Sequence, residues 1–243
     1  MTTEKYPPNN TGAVKHPLHG IVNEHIERPA PDLIARLGAH NVAQIADAMG
    51  GVGLMSHTVK PIAPGMKVWG PALTVFARPG DVLYVIHATD IAQPGDVVVI
   101  DGGGVPSLAM LGDGIGYYMQ KHRGIAGVVV DGGVRDVQGL RAMGFPTFST
   151  GGCARVAGAH GPGAINVPIS CGQTPVAPGD IIVGDDDGVV VVPAAQAEAI
   201  ADATDRVLAG EMRRRDLVDQ GANLTELRDL EPLLAMWRRP ADA

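Results

Sequence analysis

The stretch GIAGVVVDGGVRDVQGLRAMGFPTFSTG, residues 124–151, decides the fold class of this chain. Its apolar run Ile125–Val130 predicts a buried strand, Val137–Met143 predicts a helix, and Phe145–Ser149 predicts a second strand. Two neighbouring strands that are joined through a helix run parallel. The stretch therefore predicts a β-α-β unit and a fold of the α/β class.

The segments before this stretch repeat the same alternation. Short apolar runs again alternate with helical patterns, which is typical of a sheet with parallel strands. Two short helices, PDLIARLG and HNVAQIADAMG, are predicted first. The expected elements after them are a strand at Lys67–Phe76, a helix at Val82–Ala92, a strand at Asp96–Ile100 and a helix at Ser107–His122.

The pattern changes between Ile165 and Val192. This segment holds the short strands INVPIS, DIIVGD and GVVVVP without intervening helices, which favours antiparallel pairing. The sequence Asp185-Asp186-Asp187-Gly188 between two apolar runs predicts the turn of a hairpin. We therefore expect mixed parallel and antiparallel sheets.

The end of the chain is predicted to be helical, with a long helix from Ala194 to about Gln220 and a last helix at Thr225–Trp237. No Ser/Gly-rich linker or shift in composition divides the chain. The sequence predicts one α/β domain at residues 29–221, an N-terminal arm at 1–28 and a C-terminal helical tail at 222–243.

The composition excludes several classes of partner. The 243 residues carry a formal net charge of -7, whereas binding along a nucleic-acid backbone requires a basic face. No apolar run approaches the roughly 18 residues of a membrane span, and the N-terminus MTTEKYPPNNTG lacks the apolar core of a signal peptide. Cys153 and Cys171 lack the spacing of a zinc site and are expected to be buried free thiols. We expect a cytoplasmic protein that binds neither nucleic acid nor membranes.

Three common catalytic patterns are absent from the sequence. Gly102-Gly103-Gly104 and GDGIG do not have the spacing of a dinucleotide-binding loop, and no Gly-Lys-Ser/Thr of a phosphate-binding loop occurs. Among the lysines only Lys67 lies near a predicted strand, which argues against Schiff-base chemistry. The sequence also lacks the Gly-x-Ser-x-Gly motif that exposes a nucleophilic serine, which argues against acyl transfer.

A group of carboxylates and one arginine remains. Arg135 and Asp136 follow a predicted strand, and ligands bind at the carboxyl ends of parallel strands. Asp113 precedes or opens a helix in LGDGIG, where glycines leave backbone N–H groups accessible to an anion. Mg²⁺ takes only one or two protein carboxylates, so Asp136 with Asp113 nearby would suffice. Arg135 offers a bidentate fork for a substrate carboxylate or an enolate oxygen.

A purely structural interpretation of the same residues stays open. Asp136 would then cap the helix Val137–Met143, and Arg135 would be a solvated surface charge. On these residues alone, that interpretation is slightly favoured. Several other polar residues are also expected to be structural, namely Asp131, His87, His122, His160 and the run Arg213, Arg214 and Arg215.

The stretch GDGIGYYMQKHRGIAGVVVDGGVRDVQGLRAMGFPTFSTG (residues 112–151), together with IADAMGGVG, GPALTV and DDDGVVVVP, resembles the RraA-like family. That family contains the class II, metal-dependent 4-hydroxy-4-methyl-2-oxoglutarate and 4-carboxy-4-hydroxy-2-oxoadipate aldolases, and also the regulators of ribonuclease E activity. The resemblance covers roughly residues 30–220. It implies a three-layer β/β/α swivelling domain that assembles as homotrimers or homohexamers.

The resemblance also implies roles for individual residues. Asp136 would ligate a divalent cation, Mg²⁺ or Mn²⁺, Arg135 would contact the pyruvyl part of the substrate, and Asp113 would hold a metal-bound water. Glu211, on the long C-terminal helix, would complete the site from an adjacent subunit. The chain departs from the pattern once, because 21 residues (114–134) separate Asp113 from Arg135 where the aldolases have twenty. The substrate carboxylate would be bound by the backbone amides of Gly112, Asp113, Gly114 and Ile115.

The predicted function is therefore that of a divalent-metal-dependent lyase. It would cleave a 4-hydroxy-2-oxo di- or tricarboxylic acid to pyruvate and a second oxo acid, and the same enolate chemistry would support oxaloacetate decarboxylation. Gly132 and Gly133 are expected to let this oxo-acid substrate approach the backbone. The main alternative is a non-catalytic, protein-binding regulator of a ribonuclease that shares the fold. A third possibility is an enzyme of the same scaffold with a different substrate, which the extra residue between Asp113 and Arg135 would allow.

Overall fold

The computed structural model of the chain describes residues 17–238. The helices are α1 (Pro31–Gly38), α2 (Val42–Ala48), α3 (Leu83–Ile91), α4 (Asp113–Arg123), α5 (Val137–Met143), α6 (Ala197–Asp219), α7 (Leu224–Leu227) and α8 (Glu231–Trp237). The strands are β1 (Lys60–Pro61), β2 (Val68–Ala77), β3 (Val97–Leu111), β4 (Gly127–Val134), β5 (Thr147–Gly152), β6 (Gly163–Ile165), β7 (Ile169–Cys171), β8 (Thr174–Val176), β9 (Ile181–Asp185) and β10 (Gly188–Val192).

The strands form one large mixed sheet and one small hairpin. The large sheet has the order β1-β5-β4-β3-β2-β9-β10, and β6 pairs with β2 beside this path. The adjacent strands β2, β3, β4 and β5 pair parallel with one another. The other pairings of the large sheet are antiparallel: β1 with β5, β6 and β9 with β2, and β10 with β9. The small sheet is the antiparallel pair β7–β8. The predicted α/β fold with mixed parallel and antiparallel strands is confirmed.

The core lies on both faces of the parallel strands, because successive strand residues point to opposite faces. Val98 and Ile100 of β3 belong to a buried cluster with residues of α3, α4 and α5. Val97 and Val99 belong to a second cluster, which includes residues of β7, β9 and β10. A third cluster packs the other face of β9 and β10 against α1, α2 and α6. The helices α3 to α5, the parallel strands and the antiparallel segment thus form successive layers.

Two elements that depend on local sequence signals lie where they were predicted, whereas the predicted strand INVPIS is divided between β6 and β7, with residues 166–168 outside both. Helix α5 has the predicted bounds, Val137–Met143. The hairpin turn at residues 185–188 is confirmed, since Asp185 and Gly188 are paired at the end of the antiparallel β9–β10 ladder. Local periodicity and turn chemistry were sufficient for these elements because little tertiary pairing competes with them.

The predicted helix at Ser107–His122 is wrong in its first third. Residues 107–111 continue β3, and α4 begins only at Asp113. Ala109 pairs with Gly133 and Leu111 pairs with Val134, across three register shifts between Asp101 and Leu111 that let the intervening residues leave the ladder. This long-range pairing outweighs the local helical pattern, and Gly112 separates strand from helix.

The predicted last helix, Thr225–Trp237, is divided into two. Helix α7 ends at Leu227, Asp229 has a positive φ of 50°, and α8 starts at Glu231 with a proline in its first turn. A proline is well placed in the first turn of a helix and disfavours a helical residue before it. Pro232 therefore starts a new helix instead of extending the preceding one.

Both cysteines are free, but only one of them is buried. Cys171 is fully buried, whereas Cys153 is half-buried, so the expectation of two buried thiols is correct for Cys171 alone. Burial raises the pKa of the Cys171 thiol well above its usual value, and the charges of Asp131 and Asp101 add to this effect. Cys171 is therefore an unreactive core residue.

Part of the predicted N-terminal arm lies outside the described residues. Its described portion runs beside β6, where Gly20 N donates to Gly163 O at 2.8 Å and Asn23 N donates to Ile165 O at 3.2 Å. The division into arm, domain and tail stays a prediction. Across residues 17–238, the helices are all too short or too polar to cross a bilayer.

Candidate functional site

The loop Arg135-Asp136 lies at the carboxyl end of β4. Two residues connect β4, which ends at Val134, to α5, which begins at Val137. The backbone N–H of Arg135 donates to the carbonyl of Leu111 at the end of the neighbouring strand β3 (2.9 Å). This hydrogen bond holds the loops after β3 and β4 side by side, at the edge where ligands bind in sheets with parallel crossovers.

Asp136 adopts an uncommon backbone conformation in this loop. It has φ 54° and ψ 36°, the left-handed region, which costs a residue with a side chain about 1 kcal/mol and is tolerated best by Asn and Asp. Asp136 stands at the N-cap position of α5, but its side chain makes no capping hydrogen bond. The capping interpretation is therefore wrong for the carboxylate, which accepts instead from Arg135 Nε at 3.1 Å.

Arg135 and Asp136 form a half-exposed ion pair. Their side chains are 34% and 36% exposed, so both are open to a ligand from solvent. The pair uses only Nε of the guanidinium and Oδ2 of the carboxylate. The two Nη donors of Arg135 and Oδ1 of Asp136 make no further hydrogen bond with residues 17–238. These atoms are available to a bound anion and a bound cation.

The carboxylate of Asp136 lies directly over the backbone of Gly112. A methyl group added to Gly112 would lie 2.8 Å from Asp136 Oδ2 and 3.3 Å from Arg135 Cγ. Because real Cβ atoms do not approach other atoms this closely, any side chain here would displace the pair. Gly112 is thus required by the close approach of Asp136.

Asp113 points from the start of α4 towards the first turn of α5. It is exposed and makes no hydrogen bond or ion pair with the described residues. A methyl group added to Gly139 of α5 would lie 2.5 Å from Asp113 Oδ2. Asp136 precedes the same turn of α5 and lies beside Gly112, so Asp113 and Asp136 both belong to the adjacent N-terminal ends of α4 and α5. The space between these two helix ends is called the gap between α4 and α5. The extra residue before Arg135 does not remove Asp113 from this gap.

The N-terminus of α4 offers three backbone amides to which an anion could bind. The first hydrogen bond at this end of α4 runs from Gly116 N to Gly112 O (3.0 Å), and no side chain caps the helix. Asp113, Gly114 and Ile115 therefore keep N–H groups without an intrahelical acceptor. The helix dipole adds a partial positive charge, and nothing lies within 4 Å of the position that a Cβ of Gly114 would take. A carboxylate could bind here.

Glu211 lies elsewhere in the same chain. It belongs to α6, which packs on α1 and α2, and its Oε2 accepts from Gln44 Nε2 of α2 at 2.8 Å. Nothing within residues 17–238 joins it to Arg135, Asp136 or Asp113. A single chain thus brings together the residues of the α4 and α5 termini but does not add Glu211 to them.

The carboxylates in the gap fit a hard divalent cation. Within residues 17–238, no group of three or more His, Cys, Asp or Glu side chains is placed to hold a metal ion. A closed structural zinc site needs such a group, whereas Mg²⁺ and Mn²⁺ are held by one or two carboxylates with water and substrate oxygens. Asp136, with Oδ1 available and Asp113 beside it, meets this requirement.

Gly132 and Gly133 do not give a substrate access to the gap between α4 and α5. Both are buried within the sheet, where a methyl on Gly132 would lie 3.0 Å from Met110 Cγ and a methyl on Gly133 would lie 2.9 Å from Leu108 O. Their lack of a side chain lets the bulged part of β3 pack closely on β4. The expectation that they let a substrate approach the backbone is therefore wrong.

A second polar cleft adjoins the sheet, and the sequence analysis missed it. Asp101 and Asp131 are paired residues of β3 and β4, and Asp131 lines a cleft of about 480 Å³. Burial raises the pKa of Asp101, and the charge of Asp131 adds to this effect. Asp131 Oδ2 accepts from Gly172 N at 3.0 Å, which agrees with its predicted structural role. The available signal was the repeat of an apolar run followed by Asp-Gly-Gly after both strands.

The protein has an α/β fold, and its candidate site consists of Arg135, Asp136 and Asp113 at the adjacent starts of α5 and α4. A sequence model of the RraA-like family, described as Aldolase/RraA, matches residues 42–191. The chain belongs to the RraA-like family.

Three relatives illustrate this membership. A protein of Halalkalibacterium halodurans, provisionally named 4-hydroxy-4-methyl-2-oxoglutarate aldolase, is 42% identical over 189 residues, which are 77% of this chain and 90% of that protein. The structure of Streptomyces coelicolor RraAS2, an unusual member of the RNase ES inhibitor RraA family, has a TM-score of 0.69 at 32% identity and covers 78% of this chain and 99% of its own. An uncharacterised protein of Pseudomonas syringae pv. tomato has a TM-score of 0.72 at 26% identity, with 84% and 100% coverage.

Proposed function

We propose that the protein is a divalent-metal-dependent aldolase that cleaves a 4-hydroxy-2-oxo di- or tricarboxylic acid to pyruvate and a second oxo acid. The observation that carries the proposal is that the ion pair of Arg135 and Asp136 and the carboxylate of Asp113 lie at the adjacent starts of α5 and α4. Aldol cleavage needs an electron sink for the enolate and a base for the hydroxyl proton. The gap between α4 and α5 offers residues for both needs, and the name of the H. halodurans relative supports the same reaction class.

The start of α4 would bind the carboxylate of the pyruvyl part. The N–H groups of Asp113, Gly114 and Ile115 have no intrahelical acceptor, and an anion at a helix N-terminus also gains from the helix dipole. The neighbouring Arg135 would direct its two Nη donors at the keto oxygen. Its planar fork fixes the orientation of the 2-oxo acid as well as its position.

Asp136 would hold the cation, Mg²⁺ or Mn²⁺, through the carboxylate oxygen that Arg135 does not use. When bound, the cation would act as a Lewis acid that stabilises the negative charge on the keto oxygen during cleavage. Arg135 would share this charge through hydrogen bonds that strengthen as the enolate forms. The ion pair between Arg135 and Asp136 keeps both groups on the same side of the substrate.

Asp113 would accept the proton of the C4 hydroxyl, directly or through one water. As the proton leaves, C4 becomes a carbonyl carbon, the C3–C4 bond breaks, and its electron pair passes into the enolate of pyruvate. Protonation of that enolate at C3 then gives pyruvate, and the C4 fragment leaves as the second oxo acid. Oxaloacetate would react through the same enolate, with carbon dioxide as the leaving group, which accounts for a decarboxylase side activity.

Glu211 would join the site only in an oligomer. Because α6 holds it beside Gln44 on another layer of the fold, Glu211 can reach the gap between α4 and α5 only from a second copy. We therefore propose a homotrimer or homohexamer in which the partner subunit's Glu211 completes each site.

A second candidate function is that of a protein-binding regulator of a ribonuclease. The S. coelicolor neighbour belongs to a family named for RNase ES inhibition. Helix α8 also exposes large apolar side chains, with Trp237 84% and Met236 75% exposed, as protein-binding surfaces do. A regulator of this kind would not require Arg135, Asp113 and Asp136 to lie at adjacent helix starts, and for this reason we favour the enzyme.

The test is release of pyruvate from 4-hydroxy-4-methyl-2-oxoglutarate and from oxaloacetate, with Mg²⁺, with Mn²⁺ and with EDTA. We expect turnover with either metal, loss of turnover in EDTA, and loss of metal-dependent turnover in Asp136→Ala. The matched control is Asp32→Ala on α1, which removes an exposed aspartate whose carboxylate has no partner in the described part of the chain. Absence of turnover on both substrates, together with slower cleavage by a ribonuclease E in its presence, would favour the regulator.

A further inference from the structure

Gly139 occupies a position in α5 where glycine has no conformational reason to occur. Its φ is not positive, so its backbone is open to any residue. Within a helix, glycine is less stable than alanine by about 1 kcal/mol, because it loses more backbone freedom on folding. The presence of glycine here therefore needs another explanation.

The explanation lies in the atoms that a side chain at position 139 would contact. The three heavy atoms nearest to the position of a Cβ on Gly139 all belong to Asp113: Oδ2 at 2.5 Å, Cβ at 3.0 Å and Cγ at 3.1 Å. All three are side-chain atoms of one exposed residue, but only Oδ2 and Cγ can move by rotation of the side chain, because the backbone of α4 sets the position of Cβ. An alanine at this position would thus first contact the side chain of Asp113.

We propose that Gly139 is a positioning residue that leaves room for the Asp113 carboxylate beside Asp136. This inference rests on the proposed function, since it concerns the group that would accept the hydroxyl proton. The side chain of Asp113 makes no hydrogen bond within residues 17–238, so its place beside Gly139 depends on the space that Gly139 leaves. Gly112 does the same for Asp136, whose Oδ2 lies 2.8 Å from the position of a Cβ there. The carboxylate of Asp113, on α4, therefore lies beside a glycine at the start of α5, and the carboxylate of Asp136, before α5, lies beside a glycine at the start of α4.

The variant Gly139→Ala separates positioning from folding. The added methyl favours the helical state of α5, the carboxylate of the exposed Asp113 can rotate away, and a small shift of α4 relieves the contact with its Cβ. Because the gain and the cost offset each other, we expect the thermal unfolding midpoint to stay near the wild-type value. Asp136 is untouched, and calorimetry with Mn²⁺ alone should give an affinity within about threefold of the wild type. The displaced base should lower kcat for pyruvate release about tenfold or more, with KM changed less than threefold.

A double-mutant cycle of Gly139→Ala and Asp113→Ala tests the contact between these two residues through the thermal unfolding midpoint, which does not depend on activity. Gly139→Ala should raise the unfolding midpoint more in the Asp113→Ala background, where the methyl meets no carboxylate, than in the wild-type background. In the Asp113→Ala background, Gly139→Ala should lower kcat only slightly. The control Gln138→Ala changes an exposed neighbour on the same turn of α5 and should leave kcat within twofold.

Each outcome has a definite meaning. Wild-type kcat in Gly139→Ala, or equal stabilisation by this substitution in both backgrounds, overturns the positioning role. A fall in kcat matched by an equal loss in Gln138→Ala also overturns it, because the effect is then general to α5. Absence of turnover in the wild type itself marks failure of the proposed function, which is a separate result from an unaffected Gly139→Ala in an active enzyme.

Discussion

The carboxylate of Asp136 lies 2.8 Å from the position that a Cβ of Gly112 would take, although 23 residues lie between the two in the sequence (113–135). Asp136 follows β4 and Gly112 follows β3, so this proximity depends on the pairing of these two parallel strands. The hydrogen bond from Arg135 N to Leu111 O fixes the same register. The candidate site is thus a product of sheet pairing as much as of its own loop.

Gly112→Ala should disrupt this arrangement. The methyl would lie 2.8 Å from Asp136 Oδ2 and 3.3 Å from Arg135 Cγ, so both side chains must move. We expect Mn²⁺ affinity, measured by calorimetry, to fall about tenfold or more, because a ligand moved by about 1 Å loses its coordination geometry. Gly210→Ala on α6 is the control, since Arg214 Nη1, the atom nearest to its methyl outside the helix backbone, would be 4.0 Å away. Unchanged Mn²⁺ affinity in Gly112→Ala would contradict Asp136 as the ligand.

Arg135→Lys should lower kcat for pyruvate release by about 10 to 100-fold. Lysine keeps the positive charge but lacks the planar fork that would remain available once Nε is bound to Asp136. Steady-state kinetics with and without Mn²⁺ would measure the loss. Arg213→Lys, at an exposed position on α6, should keep full activity. A lysine variant with wild-type kcat would show that Arg135 acts only through its charge.

Glu211 can be tested by complementation between subunits. Asp136→Ala and Glu211→Gln should each abolish most activity as homo-oligomers. Co-expression of the two variants should restore part of it, because some sites then combine an intact Asp136 with the partner subunit's Glu211. The activity of the mixed oligomer and its mass by light scattering are the measurements. Failure of the mixture to recover any activity would place Glu211 in the same chain as the site it serves, or outside the chemistry.

Asp81 should contribute to stability in a pH-dependent way. Its burial alone would raise the pKa, but three N–H donors, of His160, Leu83 and Gly161, outweigh burial and lower the pKa of this carboxyl below its usual value. A carboxylate with a lowered pKa in the folded state stabilises the fold above its unfolded pKa of about 3.9. That contribution is lost as the pH falls through the folded pKa.

Asp81→Asn should therefore lower the free energy of unfolding by about 1–3 kcal/mol at pH 7, and the difference from wild type should shrink below about pH 4. Urea denaturation at several pH values provides the measurement. Asp90→Asn, at an exposed site on α3, should change stability by less than about 0.5 kcal/mol. An equal loss for Asp81→Asn at pH 3 and pH 7 would exclude the ionised carboxylate as the cause.

The sequence was most informative where structure depends on neighbours in the chain. Helix α5 was predicted to the residue because its apolar spacing and the glycine after it are local signals. The hairpin of β9 and β10 was predicted from its Asp-Gly turn for the same reason. Arg135, Asp136 and Asp113 could be chosen as candidates because they follow or open such elements.

The arrangement of the site could not be predicted from local signals. Residues 107–111 join the sheet through pairing with Gly133 and Val134, which no local pattern contains. The contact between Asp113 and Gly139 depends on how α4 and α5 pack, and a single glycine in a predicted helix does not identify its neighbour. The hydrogen bond between Gln44 and Glu211 likewise joins helices that are distant in the chain.

The left-handed backbone of Asp136 has an evolutionary consequence. Asparagine and glycine adopt this conformation as readily as aspartate, and Asp136 belongs to none of the three buried clusters. A change from Asp136 to either residue would abolish the chemistry proposed for the carboxylate and leave folding intact. A lineage with this scaffold can therefore lose catalysis in one substitution while its surfaces remain under selection for binding, and a catalyst and a regulator can descend from the same ancestor.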